Sequence, residues 1–239
     1  MVELPRLYPI LDASGFPGAQ ALLATAEELA SAGVTLIQYR NKSGNARVML
    51  EQARELRTLF GPPDQNPHVS QKPRDMGHPQ SFQARSGSLR GSSVRLIMND
   101  RADLCLAAHF DGVHVGQDDL SPESVRRIIS SGNPGNECWL GVSTHNPEQL
   151  GEADLTSADY LAIGPVFATS SKDKPDPVVG LEGVRRARGL TRKPLVAIGG
   201  ITRANAASVI EAGADSVAVI SDLLREPRKS AEEFLRILR

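Results

Sequence analysis

At 239 residues, with 40% hydrophobic and 23% charged side chains, the chain is too long for most small folds and long enough to bury a full core. Its 27 Lys and Arg nearly cancel its 28 Asp and Glu, so no overall field draws nucleic acid or an anionic membrane, and any phosphate recognition has to be local. Two cysteines make neither a disulfide framework nor a metal cluster, and without a leader-like segment or a long apolar run the expected location is cytoplasmic.

Short β-rich runs alternate with helical patterns along the chain. The runs are Leu7–Asp12, Thr35–Arg40, Val94–Asp100, Gly112–Gly116, Trp139–Thr144, Tyr160–Val166, Pro194–Gly200 and Ser216–Ser221. Most are nearly continuous in apolar residues, as parallel strands covered on both faces must be. Between them, Met49, Ala53, Leu56 and Phe60 form one stripe of an amphipathic helix. A further helix is expected from Thr202 to Ala212, stopped at Gly213. Cys105, in an apolar helical stretch, and Cys138, before a strand, read as small buried hydrophobes. Eight such units close into a single (β/α)₈ barrel, with a doubly wound sheet as the alternative. One stretch breaks the rhythm. Residues 61–93 are rich in Gly, Pro, Ser and Gln without periodicity, and read as a disordered or lineage-specific insertion. Its His68, Lys72, Arg74, His78, Arg85 and Arg90 read as solvated charges before they read as an anion site.

In such barrels the chemistry sits at the C-terminal ends of the strands. The second run ends Gln38-Tyr39-Arg40-Asn41-Lys42, and alternation turns Gln38, Arg40 and Lys42 into the mouth as an amide and two cations for an anionic ligand. Asn99-Asp100 and, one strand later, Asp118-Asp119 bring carboxylates without His or Cys beside them, the donor set of a hard cation such as Mg²⁺. Asp100 and Asp119 are the favoured ligands, since Asp118 can equally cap the helix near Ser121. Ser143 is a ligand donor without the surroundings of a nucleophile. His145 is either a base or, beside Asn146-Pro147, a capping residue. The loop Gly164–Lys172, with Thr169, Ser170, Ser171 and Lys172, reads as a phosphate-contacting lid. Gly199-Gly200 and Ile220-Ser221, after the seventh and eighth strands, match the recurrent phosphate site of these barrels.

In this order, Gln38–Lys42, Asn99-Asp100, Gly112–Asp119, Gly141–His145, Gly164–Lys172 and Gly199–Thr202 resemble the thiamine phosphate synthase family. The resemblance covers the chain apart from the insertion. It implies condensation of a hydroxymethylpyrimidine pyrophosphate with a thiazole monophosphate, releasing pyrophosphate. It implies that the segment Gln38, Tyr39, Arg40, Asn41 and Lys42, with Asn99, Ser143 and Lys172, serves the pyrimidine pyrophosphate. Arg40, Lys42 and Lys172 would then stabilise the leaving group. Asp100 and Asp119 would hold Mg²⁺, and Thr169, Ser170, Ser171, Gly200, Ile220 and Ser221 would surround the thiazole phosphate. Tyr39 and Ser171 depart from the family's usual aliphatic residue and threonine. The implied partners are small phosphorylated substrates, with neither nucleic acid nor membrane; the sequence does not fix a homo-oligomeric state. Two rivals remain: a thiazole tautomerase-like isomerase, and a non-catalytic regulator that binds a phosphorylated ligand.

Overall fold

The computed structural model describes residues 2–61, 94–132, 138–169 and 176–239. Residues Ser170, Ser171 and Lys172, with the whole expected insertion after Gly61, lie outside them. The strands are β1 (Leu7–Asp12), β2 (Leu36–Arg40), β3 (Arg95–Asn99), β4 (Gly112–Val115), β5 (Trp139–Thr144), β6 (Tyr160–Ile163), β7 (Leu195–Ile198) and β8 (Ser216–Val219). All pair in parallel in chain order, and β8 returns to β1, closing the barrel. A doubly wound sheet is thereby excluded.

The helices are α1 (Ala19–Ser31), α2 (Ala46–Phe60), α3 (Ala102–Ala107), α4 (Pro122–Gly132), α5 (Pro147–Asp154), α6 (Gly180–Leu190), α7 (Ala206–Glu211) and α8 (Pro227–Ile237). The stripe Met49, Ala53, Leu56 and Phe60 is the buried face of α2, whose start is capped by Asn45, its side chain accepting the Val48 N–H. Asn146 caps α5 in the same way, with Pro147 in the first turn. The seventh helix starts at Ala206, not at Thr202. Asn205 folds back to accept the Thr202 N–H and donate to the Gly200 carbonyl, so residues 202–205 form a turn beneath the glycines.

Two apolar layers result. An outer core packs helices on strands and takes in Cys105 and Cys138, both free thiols with their sulfurs 3.8 Å apart. An inner core fills the barrel with Tyr8, Ile10, Leu36, Ile97, Trp139, Tyr160, Ala162, Val196 and Ala218. The large rings fit because their neighbours are small. A Cβ on Gly141 would run into the Tyr160 ring and His114 Nδ1, and one on Gly112 would come within 2.6 Å of the Trp139 carbonyl. Arg95 lies over the Trp139 ring, 4.4 Å from its centroid, closing the floor.

The N-terminal rim carries a repeated device. Asp111, Asp159 and Asp215 each precede an even-numbered strand. Each accepts an N–H of the preceding odd strand, from Leu96, Leu140 and Leu195 at 2.7, 2.7 and 2.8 Å. Each also pairs with an arginine reaching down from a helix: Arg57 of α2, Arg126 of α4 and Arg188 of α6. The clamp ties strand to strand and helix to barrel on the face opposite the mouth, where side chains serve stability.

Candidate active site

At the mouth, inward-facing strand ends carry the polar groups. Gln38 is buried and donates to the Tyr8 hydroxyl at 3.0 Å. Arg40 pairs with Asp12 at the end of β1, and Asp12 is itself held by the Ser14 N–H and hydroxyl. Lys42 is exposed and reaches Asp100 at 2.5 Å. Tyr39 and Asn41 point the other way. The Tyr39 hydroxyl and the Asn41 amide converge on Gln52 of α2, so their side chains build the strand–helix contact and do not line the mouth. Of the five residues of the segment, the side chains of Gln38, Arg40 and Lys42 are the ones turned to the mouth.

Asp100 takes a left-handed backbone, φ 63°, with its N–H donating to the His114 carbonyl at 2.8 Å. Asp119 is placed by a tight turn in which its carboxylate accepts the Gly116 N–H at 2.8 Å. Asp119 acts on the Asp100 carboxyl as a neighbouring charge. Burial pushes the Asp100 carboxyl above its ordinary range, and Asp119 pushes the same way while Lys42 opposes. Asp118 is exposed, and Ser121, whose hydroxyl accepts the Ser124 N–H, caps α4 without it. Among the described residues no three His, Cys, Asp or Glu side chains cluster as metal ligands. The pair nonetheless suits Mg²⁺, which takes one or two carboxylates and completes its shell with water and phosphate oxygens. Next to Asp100 in sequence, the buried Asn99 Nδ2 has no hydrogen-bond partner among the described residues, a donor left over for an anionic ligand.

Beneath the mouth runs a network that the sequence reading missed. The Tyr8 hydroxyl contacts the Tyr160 hydroxyl at 2.9 Å, Tyr160 contacts His114 Nδ1 at 3.1 Å, and His114 Nε2 contacts Ser143 Oγ at 2.8 Å. Its signal in the sequence was a polar ring at an inward position of three apolar strands. Burial lowers the His114 pKa to about 4, against a smaller opposing pull from Asp119, so the imidazole is neutral. It raises both phenols, which stay protonated. The sign for stability follows. The unfolded chain binds a proton at His114 near pH 6.5 and the folded chain only near 4, so stability is whole above 6.5 and falls between the two. Going from about pH 7.5 to about pH 4.5 should withdraw roughly 2.5 kcal/mol through this group. Urea unfolding of the wild type and His114→Gln at both pH values checks it: the variant should lose less by that amount.

On the other side of the mouth, the loop after β6 folds over the loop after β7. Val166 and Phe167 donate to the Ile198 and Gly199 carbonyls, and a Cβ on Gly200 would come within 2.6 Å of the Ala168 carbonyl. Gly200, at φ 64°, therefore lies against the stretch that leads to Thr169, and Ile220-Ser221 comes just after the neighbouring strand β8. Arg203, the nearby cation, is tied to Asp222 and Glu233. His145 Nδ1 donates to the Gly164 carbonyl at 2.7 Å, and Nε2 stands 3.6 Å from Asp176, which joins β5 to the β6 loop.

The thiamine monophosphate synthase family's sequence profile matches residues 83–223. The thiamine-phosphate synthase of Koribacter versatilis is 54% identical over 241 aligned residues, spanning 99% of this chain and 97% of that one. The chain belongs to the thiamine monophosphate synthase family. Its function is thiamine-phosphate synthesis, a transfer reaction. The family member of Chloroflexus aurantiacus is 40% identical over 90% of this chain and 83% of its own. The thiamine phosphate pyrophosphorylase of Pyrococcus furiosus superposes with a TM-score of 0.74 at 29% identity, over 98% of this chain and 95% of that one. A 3-hexulose-6-phosphate synthase, at 15% identity and a TM-score of 0.64, shares the fold alone. Among the described residues no helix is long and apolar enough to cross a membrane.

Proposed function

We propose that the two sides of the mouth are two anion sites serving one displacement. A pyrimidine pyrophosphate takes the β2–β5 side, on Gln38, Arg40, Lys42, Asn99 and Ser143. A thiazole monophosphate takes the β6–β8 side, on Thr169, Gly200, Ile220 and Ser221, joined by Ser170 and Ser171 of the loop. The carrying observation is the facing pair Asp100 and Asp119, which concentrates negative charge where a pyrophosphate would have to bind. A divalent cation reconciles the two. Asp100 and Asp119 would hold Mg²⁺, which when bound would neutralise charge developing on the departing pyrophosphate.

The protein's own groups then have four tasks. Arg40, fixed in direction by Asp12, presents a guanidinium fork to phosphate oxygens. Lys42, exposed on a long flexible stem, can leave Asp100 for the leaving group, and Lys172 adds a third cation. Asn99 Nδ2 supplies its spare donor. Charge left on the pyrimidine methylene is delocalised by the amino-substituted ring, and the thiazole nitrogen attacks it. No side chain has to remove a proton from that nitrogen. His145, occupied by the Gly164 carbonyl and near Asp176, fits a positioning part, which weighs against the isomerase reading.

The direct test mixes both substrates with Mg²⁺ and measures thiamine phosphate and released pyrophosphate in equal amounts. His145→Ala run alongside should keep most of the synthase activity. Loss of thiamine phosphate formation in a folded His145→Ala would give His145 a part in the chemistry and overturn its positioning role.

A further inference from the structure

The polar groups inside the barrel form a chain with a direction. It starts at Gln38 Nε2, which donates to Tyr8, and runs through Tyr160 and His114 to Ser143, crossing β2, β1, β6, β4 and β5. A phenol has one hydrogen. Tyr8, accepting from Gln38, can satisfy its own buried hydrogen only at Tyr160 among these partners, and Tyr160 can then satisfy its own only at His114 Nδ1. A neutral imidazole that accepts at Nδ1 carries its proton at Nε2, so it donates to Ser143 Oγ. Ser143 is then left with its hydrogen to give elsewhere, and it stands half-exposed at the mouth. At the other end, donation by Nε2 leaves Gln38 Oε1 to accept. Reversing any link reverses all of them, making Gln38 a donor and Ser143 an acceptor. The space for the chain is kept by Gly141, the residue opposite both His114 and Tyr160 in the sheet, where a Cβ would strike both rings.

We propose that Tyr8, Tyr160 and His114 are positioning residues: they lock Gln38 as an acceptor and Ser143 as a donor, so that the site selects a ligand offering an amino hydrogen at one end and an anionic oxygen at the other. This rests on the assignment of Gln38 and Ser143 to the pyrimidine pyrophosphate. An apolar core could have filled the barrel with Leu, Phe and Val. A buried polar chain adds little net stability but fixes one arrangement of donors, and that arrangement is what a ligand meets. Two ends more than one strand apart thereby share a single orientation.

The first readout is the tautomer of His114 in the unliganded protein, taken from ¹⁵N shifts of histidine-labelled protein near neutral pH, with His114→Gln to assign the signal among the five histidines. Protonated Nε2 and bare Nδ1 are expected. A proton on Nδ1 overturns the proposal. The second is Tyr160→Phe, which cuts the chain while keeping the ring. We expect kcat/KM for the pyrimidine pyrophosphate to fall roughly tenfold, the equivalent of about one hydrogen bond, with the KM for thiazole phosphate unchanged. The His114 signal should shift towards a mixture of tautomers. A role in packing alone would lower the melting temperature and move neither. If Tyr160→Phe fails to fold, Tyr8→Phe cuts the chain one link earlier and is read in the same way. Wild-type kcat/KM in a folded variant overturns the proposal, and absence of synthase turnover in the wild type instead overturns the assignment on which it rests.

Discussion

Asp100→Asn should lower kcat/KM by about a hundredfold to a thousandfold, the 3–4 kcal/mol expected for losing one preorganised electrostatic contact to a developing charge. Asparagine keeps the shape and one acceptor oxygen but cannot neutralise a cation. The same substitution should leave the fold intact or slightly firmer. Asp100 stands partly desolvated against Asp119, with burial and its neighbour both disfavouring its charge, so removing that charge relieves a repulsion in the unliganded protein. The two readouts therefore move in opposite directions, which separates a lost ligand from a damaged fold. Steady-state kinetics across a Mg²⁺ titration would show the variant needing far more metal, with thiazole phosphate binding unchanged by calorimetry. Near-wild-type turnover at the Mg²⁺ level that saturates the wild type would remove Asp100 from the metal site.

On the opposite rim, Asp111→Asn should cost about 3–5 kcal/mol of stability, a large part of the roughly 5–15 kcal/mol that holds a domain together. The Asp111 and Arg57 side chains are only 6% and 11% exposed. The neutral amide would leave the guanidinium buried without a counter-charge, and Arg57 Nε already lacks a partner among the described residues. It would also weaken the acceptor for the Leu96 N–H. The same substitution at Asp159 and Asp215 provides an internal scale. Their side chains are 29% and 47% exposed, so water screens the pair and takes up the freed groups. Urea unfolding should rank the losses Asp111, then Asp159, then Asp215. Equal losses would show that the backbone acceptor, common to all three, matters more than the ion pair. Turnover per folded molecule should stay near wild type in each, since these residues lie a barrel's height from the mouth.

Much of this was legible in the order of residues. All eight strands were, and β1 and β5 to the residue. The strands expected to run to Val166, Gly200 and Ser221 stop instead at Ile163, Ile198 and Val219. At β6 and β7 the reason is local: Gly164-Pro165 interrupts one and Gly199-Gly200, both with positive φ, turns the other. Those residues leave the sheet and shape the pocket.

Alternation along a strand assigned Gln38, Arg40 and Lys42 to one side before any fold was known, because the side-chain period of a strand is fixed by the backbone. The same rule, applied to Tyr39 and Asn41, turns them to α2, where the structure has them. Partnerships were another matter. Asp12 beside Arg40, Asp100 beside Asp119, and the line from Tyr8 through Tyr160 to His114 join residues 28, 19, 152 and 46 positions apart or come from strands that do not pair. Sequence determines which face a side chain takes, since that is a property of each strand alone. Which faces then meet depends on how far neighbouring strands are staggered when the sheet closes, and only the closed barrel sets that.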